Sequence, residues 1–387
     1  MGVLNRLQGR FQKAAYFLDQ AISTCEEINL KTPGDNTSML LAYCYQDYAQ
    51  LIGLSNEVVL QYYQKSKEYY NMMSSRESLD VICRYVLMLT RLGKFQVFLS
   101  RNEEAKESYQ EAITICIEAL RKNPDHGPLY GALGQAQEKI GELYSINEYY
   151  HQAGNYYQQA LNSLERALEL STNIEYINIS HDKAFTHKRL AEYYEKKSNV
   201  VEAKDNYNTA IGIYSQIIEL SPSFITAYIN RGHAAVDLMN LQIENGQFVD
   251  ALASFELTVK TFEYVINEVP EQASAYNRLG CANRVMGDMN VRMGNIGQAG
   301  NSYIKALDLM DQAIQVSNGN YIYAFNEKGL TYLQIAQISK SNGSITEARE
   351  ALMNSIKCFD EVLIRTPDAH YAKQHKEEAV RLLNSII

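Results

Sequence analysis

Residues 276–306 read YNRLGCANRVMGDMNVRMGNIGQAGNSYIKA. Two helix-like halves meet at Gly294-Asn295. The first half places a large residue four before a glycine, Tyr276 and Gly280. The second places Ala299, Tyr303 and Ala306 at intervals of four and three. Residues three and four apart share one helix face. A small residue on that face admits a neighbouring helix, and the larger one fills the gap beside it. The stretch is therefore a helical hairpin: first helix, glycine turn, second helix.

The same hairpin recurs along the chain. Its second helix is found at Ala14, Leu18, Ala21 after Gly9-Arg10-Phe11, and at Val59, Tyr63, Ser66. It returns at Ala105, Tyr109, Ala112; at Ala160, Leu164, Ala167; and at Ala203, Tyr207, Ala210. It closes with Ala251, Phe255, Thr258 and with Ala348, Leu352, Ser355. The leading small residues stand 45, 46, 55, 43, 48, 48 and 49 apart, a mean of about 48, within the range of stacked helical repeats. First helices carry Tyr130…Gly134, Tyr228…Gly232 and Phe325…Gly329. Five of the six prolines, Pro33, Pro124, Pro222, Pro270 and Pro367, fall between helical segments, where a missing N–H and a ring clash end a helix.

As a set, these motifs resemble the tetratricopeptide repeat. Leu133-Gly134 and Leu279-Gly280 match its Leu-Gly pair, and Pro124, Pro222, Pro270 and Pro367 its terminal proline. The resemblance implies an all-α fold, an α-solenoid of about eight antiparallel hairpins wound as a right-handed superhelix. The units run roughly 1–33, 34–76, 77–124, 125–172, 173–222, 223–270, 271–318 and 319–367, with a capping helix at 368–387. The chain departs from the 34-residue repeat by seven residues in each half: Gly232 to Ala251, Gly280 to Ala299 and Gly329 to Ala348 are nineteen apart where the family has twelve. Seven residues are two turns, so each helix lengthens by roughly 10 Å while its packing stripe stays nearly in place. Gly134 to Ala160 is twenty-six, and Ser171–His181 is β-branched and Asn-rich, so a break in regularity with a loop or irregular helix end is expected there. The chain opens on a second helix without a first. This suggests a segment of a longer protein, or an additional domain or subunit packing on that helix.

Composition narrows the function. The net charge of −9 lacks the basic face that duplex nucleic acid requires. No apolar run approaches the roughly 20 residues that span a bilayer, and no signal peptide is visible. Cys25, Cys44, Cys83, Cys116, Cys281 and Cys358 form no Cys-x-x-Cys pair and read as reduced core residues of a cytoplasmic chain. The seven histidines make no helical zinc motif, and Gly294, Gly297 and Gly300 lack the preceding strand and the lysine of a phosphate loop; they read as turn and close-contact glycines. No catalytic residue, metal site or cofactor is expected. Adjacent tyrosines, such as Tyr62-Tyr63 and Tyr156-Tyr157, read as one core ring and one rim ring each.

The resemblance places a partner against the inner, concave wall built from first helices. The corresponding positions are Gln135, Glu138, Asn230, His233, Asp237, Asn277, Arg278, Arg284 and Asn326. The family's carboxylate clamp is not expected, because Glu192 and Ser274 stand at two of its five positions. The expected function is a non-enzymatic scaffold for a partner protein or peptide. The alternative is a partner- or ligand-sensing regulatory segment of a larger signalling protein, a signal-transduction ATPase or a repeat–protease effector.

Overall fold

The computed structural model describes residues 11–51, 54–73 and 78–386. These form sixteen helices and no strand. In order they are α1 (Phe11–Lys31), α2 (Asp35–Tyr48), α3 (Asn56–Met72), α4 (Leu79–Phe98), α5 (Asn102–Lys122), α6 (Gly127–Ile146), α7 (Tyr150–Leu170) and α8 (Asn173–Lys196). Then follow α9 (Val200–Leu220), α10 (Ile225–Glu244), α11 (Phe248–Glu268), α12 (Ala273–Arg292), α13 (Ile296–Val316), α14 (Ile322–Ser341), α15 (Ile345–Arg365) and α16 (His370–Asn384). The chain divides into two compact units, 1–197 and 198–387.

The lengthening read from the sequence is real. First helices α4, α6, α10, α12 and α14 have 20 residues, and second helices α5, α7, α9, α11, α13 and α15 have 21. The added two turns carry a second copy of the helix contact. A Cβ on Gly134 would lie 2.6 Å from Leu164, and one on Gly141, two turns on, 2.8 Å from Tyr157. In α12 and α13, Gly287 meets the Tyr303 ring in the same way.

Five of the hairpin turns share one geometry. In the α10–α11 turn, Gly246 has φ 71°; its N–H donates to the Ile243 carbonyl, and Gln247 N–H to the Gln242 carbonyl. This pair of bonds caps the helix carboxyl end. It recurs at Ser100, Glu148, Gly294 and Gly343. The first turn expected, at Gly9-Arg10, lies outside the described residues.

Two expectations are corrected. Ala153, not Ala160, is the fourth residue of α7, the place that Ala105, Ala251 and Ala299 hold in their helices. The leading residues then stand 45, 46, 48, 50, 48, 48 and 49 apart, and Gly134 to Ala153 is nineteen like the rest. Ala153, Tyr157, Ala160, Leu164 and Ala167 are all buried on one face, so the pattern reads equally well one heptad late. Ser171–His181 is mostly helical: α8 starts at Asn173 and runs 24 residues, one turn longer than its counterparts. Ile179 buries against Leu164 and Ala167, and that tertiary contact outweighs the weak helix propensity of the segment.

In unit 1 the core continues from Ala14, Leu18 and Ile22 of α1, packed on Leu41 and Tyr45, through Tyr85 and Leu89 to Leu164. In unit 2 it runs from Tyr228 and Phe262 to Phe359, with Ala372 and Ala379 of α16 closing its end. Tyr63, Tyr70 and Tyr157 are core rings, and the tyrosine before each is half-buried. All six cysteines are free thiols.

Candidate functional site

In unit 1, α6 and α8 face each other with charge rows at three- and four-residue spacing. Gln135 donates from Nε2 to Asp182 Oδ2 at 2.6 Å. Glu138 is only 5% exposed. Lys139 Nζ lies 3.0 Å from Glu138 and 2.9 Å from Glu142. Arg189 reaches Glu142 at 2.5 Å and Glu192 at 3.0 Å, and Lys188 pairs with Glu192. The Phe185 ring lies beneath both Lys139 and Arg189, 5.3 and 4.9 Å from its centroid. Three acids and three bases thus neutralise one another. Burial pushes the Glu138 carboxyl above the usual carboxylate range. Burial acts the same way on Glu142 and Glu192, but the neighbouring cations outweigh it and hold both below that range.

In unit 2 the row begins on α10, where Asn230, His233 and Asp237 occupy one stripe. His233 also approaches the core ring of Phe262, centroids 6.0 Å apart. On α12, Arg284 donates to Asp288 Oδ2 at 3.2 Å and to Glu327 Oε2 of α14 at 3.3 Å. Tyr303 O–H donates to Asp288 at 2.6 Å. Burial alone would lower the Arg278 pKa. The negative groups around it, Asp237 and Glu327 among them, outweigh that and raise it. Asn277 is 4% exposed, and its Oδ1, the Asn326 Oδ1 and the Arg284 Nε are buried with no hydrogen-bond partner.

Of the nine positions read from the sequence, Gln135 and Glu138 lie together in unit 1 and the other seven in unit 2. Arg284 reaches Glu327, and the charges of Asp237 and Glu327 act on Arg278. The sequence reading missed Glu327, Asp288, Lys139, Glu142, Asp182 and Arg189. Asp288 and Glu142 stand four residues after positions it did name, Arg284 and Glu138, and that same-face spacing was the available signal. Gly294 is a turn glycine as read, whereas Gly297 and Gly300 face open space and make no close contact. No metal-holding group of side chains occurs among the described residues. Nor is any described helix long and apolar enough to cross a membrane.

Residues 87–263, under half the chain, match the family model "Soluble NSF attachment protein, SNAP". No curated protein matches the sequence. Among solved structures, the nuclear import adaptor Nro1 of S. pombe is similar at 10% identity and a TM-score of 0.51, over 78% of this chain and 99% of its own. Aspartyl phosphate phosphatase F from Bacillus subtilis is similar at 10% identity and a TM-score of 0.52, over 86% of this chain and 73% of its own. A tetratricopeptide repeat protein from Parabacteroides merdae ATCC 43184 covers 92% of this chain and 99% of its own, at 13% identity and a TM-score of 0.45. At such identities the likeness is one of fold. The likeness to Nro1 and to aspartyl phosphate phosphatase F, together with the long hairpins, the shared capped turns and the paired glycine contacts, makes the fold that of a tetratricopeptide-like helical-repeat protein.

Proposed function

We propose that the chain is a non-enzymatic scaffold that holds a partner protein or peptide against the polar rows of its first helices. The observation that carries this is the trio of buried atoms without partners on α12 and α14: Asn277 Oδ1, Asn326 Oδ1 and Arg284 Nε. A buried polar atom left unpaired costs about 1–3 kcal/mol. A bound chain that shifts the side chains over these atoms would recover that cost through its N–H donors and C=O acceptors, and peptide amides carry both. The ion pairs of Glu142 and Glu192 with Lys139, Lys188 and Arg189, and of Asp288 and Glu327 with Arg284, support binding over chemistry, because these charges are already held by opposite ones. The family matched by residues 87–263 is described as an attachment protein, which agrees with an adaptor role. The free thiols agree with a reducing compartment such as the cytoplasm.

The test is affinity capture followed by mass spectrometry, then calorimetry with the partner identified. The informative variant is Asn277→Leu with Asn326→Leu. It removes the unpaired acceptors without adding charge, so helicity should persist while partner affinity falls about tenfold or more, 1.4 kcal/mol per factor of ten. Unchanged affinity in the folded double variant would refute the reading. Reversing Arg284 is a poorer test, because it would set a third carboxylate beside Asp288 and Glu327 and disturb the fold itself.

A further inference from the structure

Arg231 on α10 differs from the other half-buried arginines. Arg189 and Arg284 each sit between two carboxylates. Arg231 instead donates to two hydroxyls, from Nη1 to Ser215 Oγ of α9 at 3.4 Å and from Nη2 to Thr261 Oγ1 of α11 at 3.0 Å. Its Nε is buried without a partner. The guanidinium lies over the Tyr228 ring, 5.5 Å from its centroid, and Tyr228 stacks on Tyr264 at 4.3 Å. No described carboxylate stands at ion-pair distance. Burial lowers the Arg231 pKa, whereas surrounding acids raise those of Arg189, Arg278 and Arg284.

The arrangement is one half of an ion pair. Desolvating a guanidinium is unfavourable unless an opposite charge completes it. Ser215 O–H already donates to the Ile211 carbonyl, so toward Arg231 this hydroxyl serves as an acceptor and aims the fork. Of the five guanidinium N–H bonds, two are engaged, which leaves a planar, positioned donor set suited to two oxygens of one anion. Arg231 also points about 100° round the helix from Asn230, away from the stripe formed with His233 and Asp237.

We propose that Arg231, held between Ser215 and Thr261, is an oxyanion-binding site that takes a carboxylate or a phosphate group through its guanidinium. This site does not depend on the scaffold reading of the first-helix rows. The full chain is titrated with sodium phosphate, sodium acetate and, as the ionic-strength control, sodium chloride, and thermal unfolding is followed. Phosphate or acetate should raise the wild-type midpoint by roughly 2 °C or more above the chloride control near saturation, and the rise should vanish in Arg231→Gln. A rise with phosphate alone assigns the site to phosphate groups; a rise with acetate, alone or as well, assigns it to carboxylates. An equal rise in Arg231→Gln, or no rise in the wild type beyond chloride, overturns the proposal. Should Arg231→Gln fail to fold, Arg231→Lys carries the comparison: it keeps the charge but loses the fork, and an undiminished response to either anion would equally overturn it.

Discussion

Ser100 and Glu148 hold φ of 60° and 63°, the left-handed region that Gly246, Gly294 and Gly343 occupy in the equivalent turns. A side chain pays roughly 1–2 kcal/mol to sit there, through the clash of its Cβ with the following carbonyl. Glycine avoids that clash but loses about 0.5–1 kcal/mol more conformational freedom on folding. The clash is the larger effect, so Ser100→Gly and Glu148→Gly should each stabilise unit 1 by about 0.5–1 kcal/mol. The reverse change, Gly294→Ala, should cost unit 2 about 1 kcal/mol. Urea midpoints at unchanged slope would measure both. If Ser100→Gly proved destabilising, the turn would owe its shape to the serine side chain rather than to the capping bonds of the backbone.

Within a helix, the same substitution should act in opposite directions at two glycines. Gly212 is exposed inside α9, and a Cβ added there would meet nothing within 4 Å, whereas at Gly232 of α10 that atom would lie 2.5 Å from the Phe262 ring. Gly212→Ala should stabilise by about 0.5–1 kcal/mol through helix propensity, and Gly232→Ala should destabilise by about 1–3 kcal/mol through overpacking. Thermal midpoints moving the same way for both would contradict the packing described. This contrast marks how far the sequence could be read. Helix type, length and turn position follow from local spacing, and local spacing is printed in the chain: Gly232, Gly280 and Gly329 each found their place. The register of α7 was less legible because its small residues repeat every seven, and Ala153 and Ala160 offer the same face. Helix formation at Ser171–His181 was hidden for another reason, since it depends on Ile179 meeting Leu164, a contact with no local signature. The candidate site was legible as a set of positions on first helices. Which acid meets which base was not, because Arg284 finds Glu327 only once α12 and α14 are packed together.

Across the whole chain, buried phenols and thiols set the response to alkali. Burial raises the pKa of Tyr70, Tyr109, Tyr157 and Tyr303, and of every cysteine, with Cys44, Cys83 and Cys358 pushed up to about 11 from an ordinary 9.0. These groups lie in both units. Above the ordinary thiol and phenol values of 9.0 and 10.0, the unfolded chain releases protons that the folded chain still holds. Stability is therefore complete below pH 9 and declines as pH rises, by about 1.4 kcal/mol per pH unit for each proton so retained. The acid side has no comparable one-way trend. Glu142 and Glu192, held low by Lys139, Lys188 and Arg189, lose their contribution as pH falls through their depressed values, while the raised carboxyls of Glu138 and Asp288 act in the opposite sense. Many groups shifting together outweigh a few that oppose one another, so the stability profile should be lopsided, with its steeper limb on the alkaline side. Thermal midpoints measured by circular dichroism should fall steeply between pH 9 and 11, and tyrosinate absorbance from the buried rings should appear together with loss of helicity. Tyrosinate forming at its ordinary pH in a chain that stays helical would show that these rings are open to solvent, against the packing that places them in the core.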